Sequence, residues 1–283
     1  MGWNTIQRSY PSVLRGTDQQ SATDAGLLWT PPSYTAASVS SISGARSTHV
    51  SREGCAIRRY TLQNRSGGTV NAGIGFRLAN QYWRAGQITA AGVYTDDTED
   101  AQDLGANDFI LGADAVNDGF VILSEVPLSW ISINVGTAEV DNAGADMDHA
   151  VTYSNAAGTG WTALGTNAAL TDQFTTTNGV YATGALEFVW LPPADHGKVT
   201  GISSVPNGYY ALRVMAASTA AGDTAGLATA IEVGVLKAVE AVDDNQLLSS
   251  PGEAWQEHKA DGVVAYFSTA NAGNYVIAEV TTC

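Results

Sequence analysis

Lysine is scarce in this chain of 283 residues: Lys198, Lys237 and Lys259 are the only three, and with ten arginines they face 28 Asp and Glu. The resulting net charge of −15 argues against a nucleic-acid or anionic-membrane surface, because phosphate binding is carried by clustered Lys and Arg. Cysteine is limited to Cys55 and Cys283. Two cysteines without CxxC spacing are too few for a disulfide framework and do not form a zinc motif, so free thiols are expected. No run approaches the roughly 18 consecutive apolar residues of a membrane helix, and Met1 to Tyr10 lacks the basic and apolar regions of a signal peptide. Synthesis and folding in a cytoplasm is the expectation.

The motifs of several chemistries are also missing. There is no GxSxG elbow, no GxxxxGK[ST] loop, no HExxH and no EF-hand spacing. His49, His149, His196 and His258 are far apart. His196, which follows Asp195, is the one most easily mistaken for a catalytic residue, and it reads as structural or exposed. No catalytic residue and no cofactor is expected, and the chain is read as a non-enzyme. Glu187 stands out inside a strand pattern and is expected to pair with a cation or point to solvent. Asp96, Asp97, Glu99 and Asp100 could supply calcium's oxygen ligands, but their spacing favours a solvated acidic loop.

What the chain does have is 45% hydrophobic residues, 14% charged residues and 30 glycines, a balance that favours strands joined by small-residue turns. The expected class is all-β: a β-sandwich (jelly-roll-like) module, a smaller β domain and an extended N-terminal arm. Residues 1–47 are polar and rich in Pro, Ser and Thr, and they form the arm. Residues 48–95 hold a hairpin signature, Ala56–Leu62 and Thr69–Leu78 around the turn cluster Asn64-Arg65-Ser66-Gly67-Gly68. This region could be completed by 227–283. Residues 96–216 carry the sandwich and 217–283 a C-terminal β region, although Leu227, Ile231, Val235 and Ala238 also recur at helical spacing. Trp3, Leu27, Leu28 and Trp29 of the arm, with Arg58 and Arg59 of the Arg-rich first third, are the candidate interface residues. A solvated basic face is the plainer reading of those arginines. Tyr82, Trp83, Tyr94, Trp130 and Trp255 would form a sugar-stacking platform if exposed, although core packing is the simpler expectation.

The stretch from Asp96 to about Met215 carries more. It contains Asp118-Gly119-Phe120-Val121-Ile122-Leu123, Val126-Pro127-Leu128, Tyr153-Ser154-Asn155 and Gly160-Trp161-Thr162-Ala163-Leu164. Leu191-Pro192-Pro193-Ala194-Asp195-His196 and Gly208-Tyr209-Tyr210-Ala211-Leu212-Arg213-Val214 follow. This order resembles the β-sandwich module of tailed-bacteriophage virion structural proteins, in which D-G-F-Y-V-G…P-F precedes Y-W-N-G-S-A-W-x-x-L, P-P-A-D-W and G-Y-W-x-R-x-R-V. Here Tyr153-Ser154-Asn155-Ala156 replaces Y-W-N-G, His196 stands for the Trp after P-P-A-D, and Ala211 for one late Arg.

The resemblance implies a virion structural protein, a capsid decoration or cement protein or a head-fibre base, made in the host bacterial cytoplasm. Its partners would be other virion proteins, the major capsid protein first, and further copies of itself, with a trimer as one form. Neither nucleic acid nor membrane is an expected partner. The alternative is a tail, baseplate or adhesin module that binds host-surface glycan.

Overall fold

The computed structural model describes residues 12–17, 25–29 and 55–282, except 104–107, 113–115, 142–147, 166–168, 176–178, 220–221, 250–254 and 269–274. Trp3 lies outside the described residues. The fold is all-β and sandwich-like, built from antiparallel sheets. In chain order the first strands are β1 (Ser12–Thr17), β2 (Ala25–Trp29), β3 (Cys55–Gln63), β4 (Val70–Leu78), β5 (Trp83–Ile88) and β6 (Tyr94–Asp96). A short helix, α1 (Thr98–Gln102), precedes β7 (Phe109–Ile110), β8 (Gly119–Ser124), β9 (Trp130–Thr137), β10 (Asp148–Ser154), β11 (Trp161–Ala163) and β12 (Ala169–Asp172). The remainder are β13 (Gly184–Trp190), β14 (Tyr210–Ser218), β15 (Leu227–Val242), β16 (Leu247–Ser249), β17 (Trp255–Glu257), β18 (Ala260–Phe267) and β19 (Tyr275–Thr282).

The chain folds as two units that divide after Ala79 and after Leu236. The sequence pattern places the breaks at 95/96 and 216/217. The shift has a structural reason. β5 pairs with β8 over six residues, so it belongs with the second unit. β15, moreover, is one continuous 16-residue strand, and the helical alternative for this segment does not occur. Leu227–Leu236 serve the second unit and the remaining residues of the strand serve the first.

In the first unit, β1, β19, β3 and β16 lie in that order, and β17 pairs with the other end of β3. The end of β15 with β4, β18 and β2 forms the second layer. Ile57 and Leu62 of β3 meet Ile74 and Phe76 of β4 and Val263 and Phe267 of β18 in one buried core. β3 and β4 therefore do not form the expected hairpin; they sit in different sheets and face one another across the core. Both strands have an apolar face to bury, and stacking two sheets buries both faces at once where a lone hairpin would expose one.

The turn between them is organised by Asn64, which is fully buried. Its Nδ2 donates to the carbonyls of Gly68 at 2.6 Å and Val242 at 2.7 Å, and its Oδ1 accepts from the Ser66 amide at 2.9 Å.

In the second unit, β11, β10, β14, β8, β5 and β6 form one sheet, and β12, β13, β9 and the start of β15 form another, with β7 paired to β15. Phe109, Phe120, Phe174, Phe188 and Trp190 run as a chain of ring contacts at 5.2 to 6.3 Å. β8 is buried along its whole length. Its Val121 and Leu123 join Ile88, Ala211, Val199 and Val205 in a second, smaller cluster, so the loop carrying the last two covers this sheet's other face.

Candidate functional site

His196 lies where β13 ends. Trp190 is the last residue of the strand and Pro192-Pro193 follow it, as expected of residues that cannot donate to a ladder. The Pro193 carbonyl accepts from the His196 amide at 3.0 Å, which turns the chain back and inserts the imidazole among the rings of Tyr153, Trp190 and Tyr210 at 5.2 to 5.4 Å. Its Nε2 lies 3.3 Å from the Ala211 carbonyl. A carbonyl only accepts, so Nε2 carries the proton and Nδ1 the lone pair. Burial holds this histidine's pKa down at about 4, against smaller raising effects of the Ala211 carbonyl and Asp195.

Ser154, His196 and Asp195, the residue types of an acyl-transfer triad, all sit in this cluster. Their wiring is different. Ser154 Oγ donates to the Gly197 carbonyl at 2.5 Å and accepts from the Ala211 amide at 3.1 Å. Asp195 accepts from the Tyr153 hydroxyl at 3.0 Å rather than from the imidazole. A triad needs base bonded to nucleophile and acid bonded to base, and neither bond is present. The arrangement locks the loop after β13 onto β10 and β14.

A second cluster has acid–base character but is sealed. Glu139, between β9 and β10, accepts from His149 Nε2 at 3.1 Å and from the Tyr181 amide at 2.8 Å. The His149 and Tyr181 rings stack at 4.1 Å, and the Tyr181 hydroxyl donates to the Phe174 carbonyl. All three residues are at most 3% exposed. This ties two loop segments to β10.

Glu187 does not point to solvent, one of its two expected places. It is fully buried and accepts from Trp130 Nε1 at 2.8 Å. It lies opposite Ser132, which in turn lies opposite Glu232, so two enclosed carboxylates flank one serine across three strands.

The proposed calcium ligands are directed to different partners. Asp96 pairs with Arg84 at 3.6 Å and accepts from the Thr98 amide at 3.1 Å. Asp97 accepts from Gln87 Nε2 at 3.3 Å, and burial, with a hydrogen bond to Asp100, raises its pKa to about 6. Among the described residues no three His, Cys, Asp or Glu side chains converge as a metal site.

Of the supposed aromatic platform, Trp83 and Trp130 are buried and Trp255 stacks on Tyr60 at 5.2 Å. Tyr82, Tyr94 and Trp255 of that set are half-exposed, and Tyr94 joins two further half-exposed aromatics, Trp161 and Tyr209, around the smaller cluster of the second unit. Arg213 lies 4.8 Å over Trp161 and donates from Nε to Thr152 Oγ1 at 3.2 Å, while Arg84 lies 5.6 Å over Tyr209. Residues 80–236 hold 18 carboxylates and three basic side chains, and each of the three, Arg84, Lys198 and Arg213, lies over an aromatic ring. The rest of the chain holds ten of each sign, so the net charge belongs to the second unit.

Leu27, Leu28 and Trp29 lie in β2, along β18. Arg58 and Arg59 lie in β3, and Arg59 is exposed. Glu139 and the latch role of Asn64 had no signal in the sequence beyond a polar residue near a turn. Comparison of the chain with protein-family models, with characterised proteins and with solved structures finds no match.

Proposed function

We propose that this chain is a structural, non-catalytic component of a tailed-phage virion, a capsid decoration or cement protein or a head-fibre base. The observation that carries this reading is the use made of the residues on which the resemblance rests. Gly119, Tyr153, Trp161, Asp195, His196 and Arg213 are spent on packing, stacking and internal hydrogen bonds. The groups able to do acid–base chemistry, Glu139 with His149 and Glu187 with Trp130, are closed off in the same way. Such a protein acts by covering surface between neighbours, on the order of 1,000 Å² per contact. Its partners are the major capsid protein and further copies of itself, a trimer among the forms to test. The test is co-sedimentation of the full chain with emptied heads. Saturable binding to heads is expected; binding to isolated tails with none to heads would reject the decoration role.

A second reading, a glycan-binding module of a tail, baseplate or adhesin, has one observation in its favour: the half-exposed Trp161, Tyr209 and Tyr94 with Arg84 and Arg213 on one sheet face. Binding on a glycan array that is lost in Trp161→Ala and Arg213→Ala would favour it over the first.

A further inference from the structure

Residues 80–236 hold three basic side chains, and they are provided for in three different ways. Lys198 is exposed, where water solvates its ammonium. Arg84, also exposed, pairs with Asp96 at 3.6 Å. Arg213 is half-buried in β14, and burial lowers its pKa with no carboxylate opposing that effect. Its Nε donates to Thr152 Oγ1 at 3.2 Å and its guanidinium lies 4.8 Å over the Trp161 ring. The donors on its two terminal nitrogens have no acceptor among the described residues.

Taking a guanidinium part of the way out of water without a counter-ion is costly. Carboxylates of the unit farther than about 8 Å away are screened at physiological salt, and none of them accepts from its N–H groups. Thr152 and Trp161 meanwhile fix the planar fork, so little freedom is left to lose when it closes on a carboxylate through two parallel hydrogen bonds.

Arg213 lies opposite Thr152 of β10 and Val121 of β8. Strand alternation therefore puts it on the face of the sheet away from Phe120 and the chain of rings. Around it on that face the strands carry small residues: Ala150 and Thr152 in β10, Ala163 in β11 and Gly119 in β8. Trp161 shares the face, and Tyr94 and Tyr209 are half-exposed against the same apolar cluster. A floor of small residues beside aromatic rings suits a sugar, whose C–H face packs on a ring while its polar groups reach hydrogen-bonding partners. With 18 carboxylates against three basic side chains, the unit repels polyanions. A single carboxylate on an otherwise uncharged sugar is the anion that one arginine can hold against that field.

We propose that this face binds an acidic sugar, a uronic or sialic acid residue of a glycan, with Arg213 holding its carboxylate and Trp161 packing against its ring. It rests on the glycan-binding reading above and narrows that reading to sugars that carry a carboxylate.

The full chain is applied to an array of glycans ending in glucuronic, galacturonic or sialic acid, each printed beside its carboxyl-reduced form. Binding to an acidic form is expected, about tenfold or more tighter than to its reduced partner. Arg213→Lys, which keeps the charge but not the fork, should lose about tenfold, while Lys198→Ala should bind as the parent chain does. Equal binding of the acidic and reduced forms overturns the proposal and leaves the glycan reading standing. No binding to any glycan removes both. Poly-glutamate bound as tightly as the acidic glycans, or an equal loss in the Lys198 and Arg213 variants, also overturns it, since charge without a sugar would then suffice. The comparison of acidic with reduced forms uses the parent chain alone, so it decides the matter even where Arg213→Lys misfolds.

Discussion

Glu139 receives His149 Nε2 at 3.1 Å, with neither side chain more than 1% exposed. The carboxylate is wedged between two glycines: a Cβ on Gly112 would come 2.5 Å from Glu139 Oε1, and one on Gly226 would come 2.9 Å from its Cγ. Three loop segments and β10 of the second unit thus meet at one acid.

Glu139→Ala would strip the partner from both the imidazole and the Tyr181 amide and leave a cavity. A loss of about 3 kcal/mol is expected from abandoned buried polar groups. Glu139→Gln keeps one acceptor oxygen and should lose less. Urea unfolding midpoints of the two variants measure the difference, and equal midpoints for both variants and the parent chain would contradict the role given to this acid.

Asn64 makes a sharper comparison. Alanine at this position removes the bonds to Gly68, Val242 and Ser66. Aspartate keeps the shape but turns a carboxylate oxygen towards two carbonyls inside a fully buried site. Asn64→Asp should therefore be at least as damaging as Asn64→Ala near neutral pH, by about 2 kcal/mol or more in each case. Thermal unfolding in the two variants decides the order.

His196 links stability to acid. Its pKa is about 4 in the folded chain, below the ordinary 6.5, because burial disfavours the charged ring. Between these values the unfolded chain binds the extra proton, so stability is retained above about pH 6.5 and lost as pH falls towards 4, by about 3 kcal/mol in all. His196→Phe keeps an aromatic body in the ring cluster and removes this dependence on pH. Denaturant midpoints measured from pH 7 to pH 4.5 should fall more steeply for the parent chain than for the variant.

Two glycines test close backbone approach. A Cβ on Gly119 would fall on the Val214 carbonyl oxygen, across the β8–β14 pair. A Cβ on Gly158, whose φ is +69°, would fall on the Lys198 carbonyl oxygen. Because backbone has little room to move in a packed sheet, Gly119→Ala should cost about 3 kcal/mol or more. Gly165→Ala, with nothing within 4 Å of its Cβ, is the neutral control. Soluble yield and melting temperature report both.

The strand patterns of the sequence were legible where burial alternates or runs continuously, as at Val70–Leu78, Gly119–Ser124 and Gly184–Trp190. The pattern was silent for Trp83–Ile88, whose Arg, Gly and Gln interrupt the apolar residues. Gly86 is needed there because a Cβ would strike the Thr95 carbonyl and the Tyr94 ring. Partnerships were not legible either. β3 and β4 look like a hairpin because a short turn joins them, but β3 pairs with β19 and β16 in one layer and β4 with β18 in the other, all about 180 residues or more later in the chain.

The amino-acid sequence by itself determined the class of this protein, its acidity and the absence of the familiar catalytic motifs, because these follow from residue type and local period. Tertiary structure alone decided which polar residues are spent inside the fold. Whether Glu187, His196 or Trp130 faces solvent depends on what lies opposite across a sheet, and hydrogen bonds such as Trp130 to Glu187 join residues 57 positions apart.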